Sequence, residues 1–205
     1  MNEPKATTGR NKPRGSYAKT GMKRAAILEA ALAVFAKGGY RSGSLREMAS
    51  HVGMSEAGLL HHFPNKSALL DAVILRATRD NPSEGVDAIA AAPPQEVLPR
   101  LATANATLMA RAARLIALGE GAIHMDAALR PLRERAHGNL RAAFRRVADH
   151  LDRHGVLGVS AQQAADTLYG IANQDTYLRM TDGAGLSSEE YARWLTDALG
   201  AILLR

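Results

Sequence analysis

The stretch that most constrains the fold runs from residue 44 to residue 63, SLREMASHVGMSEAGLLHHF. Ser44 followed three residues later by Glu47 predicts a capping box, in which the two side chains satisfy free amides at a helix start. Apolar residues then recur at helical spacing up to Val52, and Gly53 supplies the left-handed conformation that ends a helix. The segment therefore predicts two short helices joined by a tight glycine turn.

The second of these helices is expected to begin after Ser55, whose hydroxyl can cap it. Leu59 and Phe63 lie four residues apart and give this helix an inward face, whereas its other face is short and polar. Met54 is expected to enter the core at the corner between the two helices. This layout is typical of a helix-turn-helix that reads DNA in the major groove.

Further helices are needed, because two short helices bury too little apolar surface to be stable alone. Residues 23–37 supply one, with an apolar stripe at helical spacing that a Gly-Gly pair brings to an end. Asn65 is expected to cap a fourth helix, which the Asn-Pro pair at 81–82 would break. The sequence therefore predicts a DNA-binding domain over residues 23–80.

Residues 24–75 resemble the N-terminal domain of the TetR family of bacterial repressors. The shared pattern is a helix ending in Phe35, a Gly-Tyr pair, the capped helix with its glycine turn, and a closing His-Phe-Pro. The resemblance implies an all-α homodimer with an N-terminal reader and a C-terminal domain for ligand binding and dimerisation. It also implies that a small-molecule effector releases the protein from double-stranded DNA. The chain departs from the usual family pattern in the recognition helix, which has Glu56, Gly58 and Leu60 where a lysine, a threonine and a tyrosine are common.

The predicted DNA contacts are of two kinds. Those expected near the bases are Arg46, Ser55, Glu56, Gly58 and His61. Those assigned to phosphates, which fix register without reading sequence, are Ser44, His62 and Lys66. Glu56 is either a charge that favours a helix start or a reader of a cytosine amino group. Gly58 either admits DNA closely or is tolerated at a cost of about 1 kcal/mol relative to alanine.

The first 24 residues carry seven basic side chains against one acid and hold the whole net charge of +6. Residues 1–22 contain few apolar side chains, so they are expected to form a disordered basic arm. Next to a DNA reader, such an arm can neutralise phosphates or enter a minor groove. The alternative is a solubilising tail that makes no specific contact.

Residues 81–205 are expected to form an effector-binding and dimerisation domain made of helices alone, because no stretch shows sustained alternation of apolar and polar residues. The predicted helices cover residues 95–109, 111–125, 128–153, 161–180 and 188–204. The residues expected to form the buried line of the third helix are Leu132, Ala136, Leu140, Val147 and Leu151. The many arginines between them are interpreted as its solvated face and not as a second nucleic-acid site.

The last helix is the predicted dimer interface, since its apolar residues repeat at three- and four-residue spacing. These residues are Tyr191, Trp194, Leu195, Ala198, Leu199 and Ile202. Small residues on the preceding helix would let both helices pair with their symmetry mates as a four-helix bundle. The alternative is that this apolar stripe packs only within its own subunit.

An effector cavity among the central helices should be mostly apolar, with a few polar groups that orient a neutral or weakly polar organic molecule. The residues expected to line it are Met109, Ile116, His124, Met125, Tyr169, Asn173, Gln174 and Tyr177. The alternative for each is ordinary core filling or a hydrogen-bonded side chain. The sequence does not identify the effector.

Other classes of protein find little support. His150 and His154 have the spacing of a helical zinc site, but the glutamate and third ligand of such a site are missing. The chain has no phosphate-binding glycine loop, nucleophile elbow or cysteine, so no enzyme activity, metal or cofactor is expected. Without a membrane-spanning run or a secretory leader, a cytoplasmic protein is expected. The alternative function is constitutive DNA binding without an effector.

Overall fold

The computed structural model describes residues 14–79 and 85–205, with side chains from residue 21 onwards. The α-helices in these ranges are α1 Arg14–Ser42, α2 Leu45–His51, α3 Glu56–His62, α4 Lys66–Arg79, α5 Val86–Ile89, α6 Pro94–Ala122, α7 Leu129–Arg153, α8 Ala161–Ile171, α9 Gln174–Leu178 and α10 Ser188–Leu203. A turn of π-helix, Arg179–Gly183, follows α9. No strand forms in the part of the chain that the structure describes, which confirms the predicted all-α class.

The first helix is longer than predicted at both ends. Of the predicted disordered arm, residues 1–22, the part up to residue 13 lies outside the described residues. Residues 14–22, contrary to the prediction, belong to α1. Extending an established helix costs little, because only its first turn bears the cost of nucleation. At the other end, Gly39 takes a φ of 70° and kinks the chain, after which helical turns continue to Ser42. The predicted break at Asn81-Pro82 lies outside the described residues.

Two hydrophobic cores hold the helices together. One lies among α1 to α4 and includes Ile27, Phe35 and Leu59. Leu115 of α6 and Leu129 of α7 belong to this same core, so the N-terminal helices pack directly on the C-terminal ones. The other core lies among α5 to α10. Because α6 contributes to both, the two parts of the chain form one packed body.

Helix boundaries in the C-terminal part correct several predictions. The two helices predicted over residues 95–109 and 111–125 are the single 29-residue α6, since Ala110 and Arg111 favour helix and give no reason to stop. The helix predicted over residues 161–180 is interrupted at Ala172. Its continuation restarts at Asn173, whose side chain accepts hydrogen bonds from the amides of the next helix.

The helix α7 buries one side and exposes its arginines. Val147 and Leu151 are buried as predicted, Leu132 and Leu140 are half-buried, but Ala136 is exposed, contrary to the prediction. The predicted solvated face is confirmed, since the side chains of Arg130, Arg133, Arg135, Arg141, Arg145, Arg146 and Arg153 are all exposed. Several of them form ion pairs with acids of other helices. Among the described helices, none combines the length and apolarity that a membrane span requires.

Candidate DNA-reading surface

The helix α2 and the turn after it form as predicted. The Ser44 Oγ accepts a hydrogen bond from the Glu47 amide at 3.0 Å, which is one half of the predicted capping box. The full reciprocal box forms instead at the starts of α8 and α10. Met48 is fully buried against α1, and Gly53 has a φ of 64° in the left-handed region. The glycine therefore allows the chain to reverse between the two short helices.

The recognition helix α3 is capped at one end and anchored at the other. The Ser55 Oγ accepts a hydrogen bond from the Gly58 amide at 3.1 Å. Leu59 and Phe63 are buried, whereas Met54 at the corner is only half-buried. These contacts fix which side of α3 faces the core, and they leave its polar side outward.

Most of the residues predicted to lie near DNA bases are exposed on α2, on α3 or at the cap of α3. Arg46, Glu56 and His61 are exposed. Ser55 is exposed too, and although its Oγ accepts the capping bond, its hydroxyl proton can still be donated to a ligand. Leu60 is 37% exposed, so it does not pack fully against α2. The face combines a guanidinium, an imidazole and a carboxylate, which are groups that read base edges.

Gly58 lies half-buried on this helix and needs no glycine for internal reasons. A Cβ added there would meet the Ser55 Oγ at 3.4 Å and the Met54 Cβ at 3.8 Å, both ordinary van der Waals distances. Its φ is not in the left-handed region. Neither packing nor backbone conformation within the protomer therefore requires glycine at this position.

The C-terminal end of α3 is held by Arg24, which the sequence analysis counted among the basic side chains of the first 24 residues but to which it assigned no contact. The Arg24 Nη1 donates to the His62 carbonyl oxygen at 3.2 Å. The same guanidinium lies 4.2 Å from the ring centroid of Phe63. His62 is half-buried, while the neighbouring His61 is exposed. Of the two histidines, His61 is therefore more available to a ligand.

Lys66, predicted to contact phosphate, is partly engaged within the protein. Its Nζ donates to the Arg41 carbonyl oxygen at 3.3 Å and lies 4.7 Å from the ring centroid of Tyr40. Desolvation lowers the pKa of the Lys66 ammonium, although the charge of Asp126 opposes this shift. Only part of the ammonium is left to face a DNA phosphate.

A contact between the N-terminal and C-terminal parts was not anticipated from the sequence. The Tyr40 hydroxyl donates to the Asp126 Oδ2 at 2.5 Å, across 86 residues of chain. Asp126 lies in the corner between α6 and α7, and its Oδ1 accepts from the Ala128 amide at 2.9 Å. The hydrogen bond from Tyr40 is the main reason that the pKa of Asp126 is lowered. Burial, followed by the bond to Asp126, raises the pKa of Tyr40.

The predicted effector residues divide between the C-terminal core and the surface. Met109 and Tyr177 are buried in that core and Ile116 and Tyr169 pack against it, whereas His124 and Met125 are exposed beside Asp126. The Tyr177 hydroxyl is 2.6 Å from the Ser188 Oγ. The Asn173 side chain accepts the capping hydrogen bonds of α9, so it is a hydrogen-bonded side chain, which was the alternative interpretation of this residue. Gln174 is half-buried beside it.

A small cavity of about 80 Å³ lies among α4, α6 and α7 instead. Of the predicted effector residues, Ile116 lines it. Its other lining residues are Asp71, Ile74, Gly119, Glu120, Ile123, Leu129, Leu132, Arg133 and Ala136. A Cβ on Gly119 would come within 2.8 Å of the Ile74 Cδ1, so the glycine allows α4 to approach α6 closely. The cavity is mostly apolar, with charged groups at its edge.

Glu120 lines the cavity and also belongs to a network of hydrogen-bonded polar side chains. Its Oε2 is 2.7 Å from the Arg133 Nε, and its Oε1 is 2.9 Å from the His137 Nε2. The His137 Nδ1 is in turn 2.5 Å from the Tyr169 hydroxyl. Tyr169 therefore belongs to this chain of hydrogen bonds and does not line the cavity itself.

The residues of the predicted dimer interface divide into two sets. Tyr191, Leu195 and Leu199 are each 0% exposed and pack into the subunit's own core. The Tyr191 hydroxyl donates to the Asn105 Oδ1 at 3.0 Å. Trp194 and Ala198 are half-buried, and Ile202 is exposed, so these last three leave apolar surface on the helix.

The histidine pair of α7 is held by backbone groups. The buried His150 Nε2 is 2.9 Å from the Ala92 carbonyl oxygen, and the His154 Nδ1 is 2.9 Å from the His150 carbonyl oxygen. Within residues 14–79 and 85–205, no three metal-binding side chains of the His, Cys, Asp and Glu types come together.

The fold and this surface are those of a helix-turn-helix unit packed on a larger helical domain. Residues 27–73 match the family model of bacterial regulatory proteins, tetR family. The helix-turn-helix part of the chain is therefore similar to the regulators of the tetR family. Among proteins of curated function, none matches the chain in sequence.

Solved structures share the fold over nearly the whole chain. A transcriptional regulator from Saccharomonospora viridis, in complex with choline, is 21% identical with a TM-score of 0.72, covering 90% of this chain and 99% of that one. A TetR-family regulator from Rhodococcus sp. is 17% identical with a TM-score of 0.70, covering 89% and 99%. NalD, the secondary repressor of the MexAB-OprM multidrug efflux pump in Pseudomonas aeruginosa, is 20% identical with a TM-score of 0.69, covering 91% and 98%.

Proposed function

We propose that this protein is a homodimeric repressor that binds a palindromic operator and is released from it by a small-molecule effector. The observation that carries the proposal is the capped α2–α3 unit, whose polar outward face is held on a larger helical domain. Its place of action would be the bacterial cytoplasm, where chromosomal DNA lies.

The proposed DNA contacts are of two kinds, those that read bases and those that bind phosphates. Arg46, Glu56 and His61 are exposed on the outward face, which supports their role near the bases. Ser55 and Gly58 lie on the same short helix and are proposed beside them. Phosphate contacts are proposed for the residues at the edges of the unit, Ser44, His62 and Lys66.

The dimer is proposed to form through α8 and α10. Trp194, Ala198 and Ile202 leave apolar surface on α10 that a second copy would cover. A two-fold dimer would place two recognition helices in successive major grooves, about 34 to 36 Å apart or a multiple of that distance. The expected operator is therefore an inverted repeat.

The effector site is proposed at the cavity among α4, α6 and α7. Its walls are mostly apolar, and Glu120 and Arg133 offer polar groups at one side. Two structural neighbours bear on this idea: one is described as a complex with choline and another as a repressor of an efflux pump. At about 80 Å³, the cavity must widen to admit an organic molecule.

The first test is an unbiased selection of duplex oligonucleotides at modest ionic strength, combined with sedimentation equilibrium. We expect a dimer at micromolar concentration and enrichment of an inverted repeat. The double variant Arg46→Ala/His61→Ala should lose this preference, whereas Arg153→Ala, an exposed arginine of α7, should keep it. A stable monomer, or no enriched sequence, would contradict the proposal.

The second test concerns the effector. In a thermal-shift screen of metabolites and drugs, an effector should raise the melting temperature and lower operator affinity. Ile116→Phe, which fills the cavity, should abolish both effects, whereas Leu75→Phe on the exposed side of α4 should not.

The small volume of the cavity favours a second candidate function, constitutive DNA binding without an effector. A screen in which no compound both raises the melting temperature and releases DNA would support this alternative. The DNA selection would still succeed in that case.

A further inference from the structure

The reading unit, α2 and α3, follows α1 and precedes α4 in the chain, and both of these flanking helices pack on the C-terminal ones. The helix α1 packs against α6, while Asp71 of α4 pairs with Arg135 of α7 at 3.0 Å and Ile74 of α4 packs against Gly119 of α6. A further contact is the bond between Tyr40 and Asp126. Tyr40 lies just ahead of α2, so this contact is close to the reading helices themselves.

The surroundings of Tyr40 restrict the position of its hydroxyl. The residue is 6% exposed, and its ring stacks on Phe35 with centroids 6.0 Å apart. The Lys66 ammonium lies 4.7 Å from the centroid of the Tyr40 ring, and its charge favours the ionised form of Asp126. Asp126 is itself oriented by the Ala128 amide. Donor and acceptor are thus each held by a separate part of the structure.

We propose that Asp126 is a positioning residue for DNA binding, which fixes the orientation of the α2–α3 unit on the C-terminal domain by accepting the Tyr40 hydroxyl. The packing of α1 and α4 holds the unit through its two flanking helices, and the bond from Tyr40 adds a fixed point directly ahead of α2. The charge-assisted bond at this point is among the stronger kinds of hydrogen bond in proteins. Asp126 acts through Tyr40 and makes no contact with DNA in this proposal.

The same residue lies in the chain between two residues that line the proposed effector cavity, and this part of the inference rests on the proposed function. Ile123 and Leu129 line the cavity, and Asp126 lies midway between them in the corner. A molecule that widens the cavity would displace these side chains and carry Asp126 with them. Effector binding would then loosen the bond to Tyr40 and free the reading unit.

Operator affinity tests the positioning role with conservative variants. Tyr40→Phe removes only the hydroxyl and keeps the ring in its core. We expect it and Asp126→Ala each to weaken operator binding by about tenfold. The double variant should be no weaker than the weaker single variant, because both remove the same bond. Asp126→Asn keeps an acceptor for Tyr40 and should lose less.

The matched control is Asp182→Asn. Asp182 receives two hydrogen bonds from Arg114 entirely within the C-terminal domain. Its loss should leave operator affinity unchanged. The inference would be overturned if the two single effects at Tyr40 and Asp126 multiplied in the double variant, or if Asp182→Asn weakened DNA binding as much as Asp126→Ala.

A distance measurement separates a positioning role from a merely stabilising one. The chain has no cysteine, so spin labels can be attached at Ala57→Cys on α3 and Arg153→Cys on α7, both exposed positions. Labelled chains diluted with unlabelled ones report the distance within one chain by electron double resonance. Tyr40→Phe should broaden the distribution while thermal unfolding stays cooperative. An unchanged distribution would refute the inference.

This readout needs neither DNA nor effector, so it distinguishes the two possible failures. A protein that selects no oligonucleotide contradicts the proposed function. A protein that binds its operator, but whose distance distribution is the same with and without Tyr40→Phe, contradicts only the positioning role of Asp126.

Discussion

The reading unit and the C-terminal domain are stabilised at different ranges of sequence. In the reading unit, Ser44 and Ser55 bind amides three residues away, and Gly53 reverses the chain within one turn. In the C-terminal domain, α6 is 29 residues long and packs against helices from both ends of the chain. Short-range signals thus define the part proposed to contact DNA, whereas long-range packing defines the part proposed to bind an effector.

The largest expected effect tests whether these two regions are energetically separate. Leu59→Ala removes a fully buried side chain of α3 and should lower the free energy of unfolding by about 3 kcal/mol. Because α6 contributes to both cores, a single cooperative transition is expected in urea, detected by circular dichroism. Two separated transitions would mean that the reading unit unfolds independently.

A control for this substitution lies on the same helix. Leu60 is 37% exposed, so Leu60→Ala should change the free energy of unfolding by less than about 1 kcal/mol. If both variants were equally destabilising, burial of Leu59 would not explain its role.

The contrast between the two regions also explains what could be predicted from the sequence. The caps at Ser44, Ser55 and Asn65 form as predicted, because each needs only its own residue and an amide three positions later. The all-α class follows from periodicity over long stretches. The continuity of α6 through residue 110 was missed, although the sequence there contains no residue that breaks a helix.

Contacts between distant residues could not be read in the same way. An aspartate ahead of a helix predicts a local cap at most, so Asp126 gave no sign of its partner Tyr40. Likewise, the spacing of Tyr191 and Leu195 reports an apolar stripe but not which surface covers it. The DNA-contact residues stay a prediction, because exposure does not identify a ligand.

The next prediction concerns the division of DNA contacts. Arg46→Ala should cost about 1 to 3 kcal/mol at one operator position and relax specificity there, since it removes a base contact. Lys66→Ala should weaken binding to all sequences alike, as expected for a phosphate contact. Affinities for a set of single-substituted operators, measured at constant salt by fluorescence anisotropy, provide the comparison.

Equal losses across the set for both variants would remove the distinction between the two residues. A loss confined to one position for Lys66→Ala would reverse the assignment. Arg153→Ala serves as the charge-matched control, since it removes an exposed arginine from α7.

A smaller effect is expected at Gly58. Since an added Cβ meets only ordinary contacts, Gly58→Ala should raise the free energy of unfolding by up to about 1 kcal/mol through helix propensity. Urea unfolding measures this gain, and operator affinity should stay unchanged if glycine is merely tolerated. A variant that is more stable but binds DNA more weakly would instead indicate that the DNA approaches α3 closely at this residue. Gly53→Ala is the contrasting substitution, because a φ of 64° makes any side chain there destabilising.

The smallest expected effect is the pH dependence of the contact between the two regions. The bond from Tyr40 lowers the pKa of Asp126 below its ordinary value of 3.8, so the folded state favours the ionised carboxylate. The resulting stabilisation is complete above the unfolded pKa and is lost as the pH falls through the lower folded one. Because Asp126 is half-exposed, solvent screens this contribution to less than about 1 kcal/mol.

The difference in free energy of unfolding between the wild type and Asp126→Asn should therefore be constant from pH 7 to about pH 5 and shrink below pH 4. Tyr40→Phe should reduce this pH-dependent part, since the hydroxyl is its first cause. A difference that did not vary with pH would show that the carboxylate charge contributes nothing to the attachment between the reading unit and the C-terminal domain.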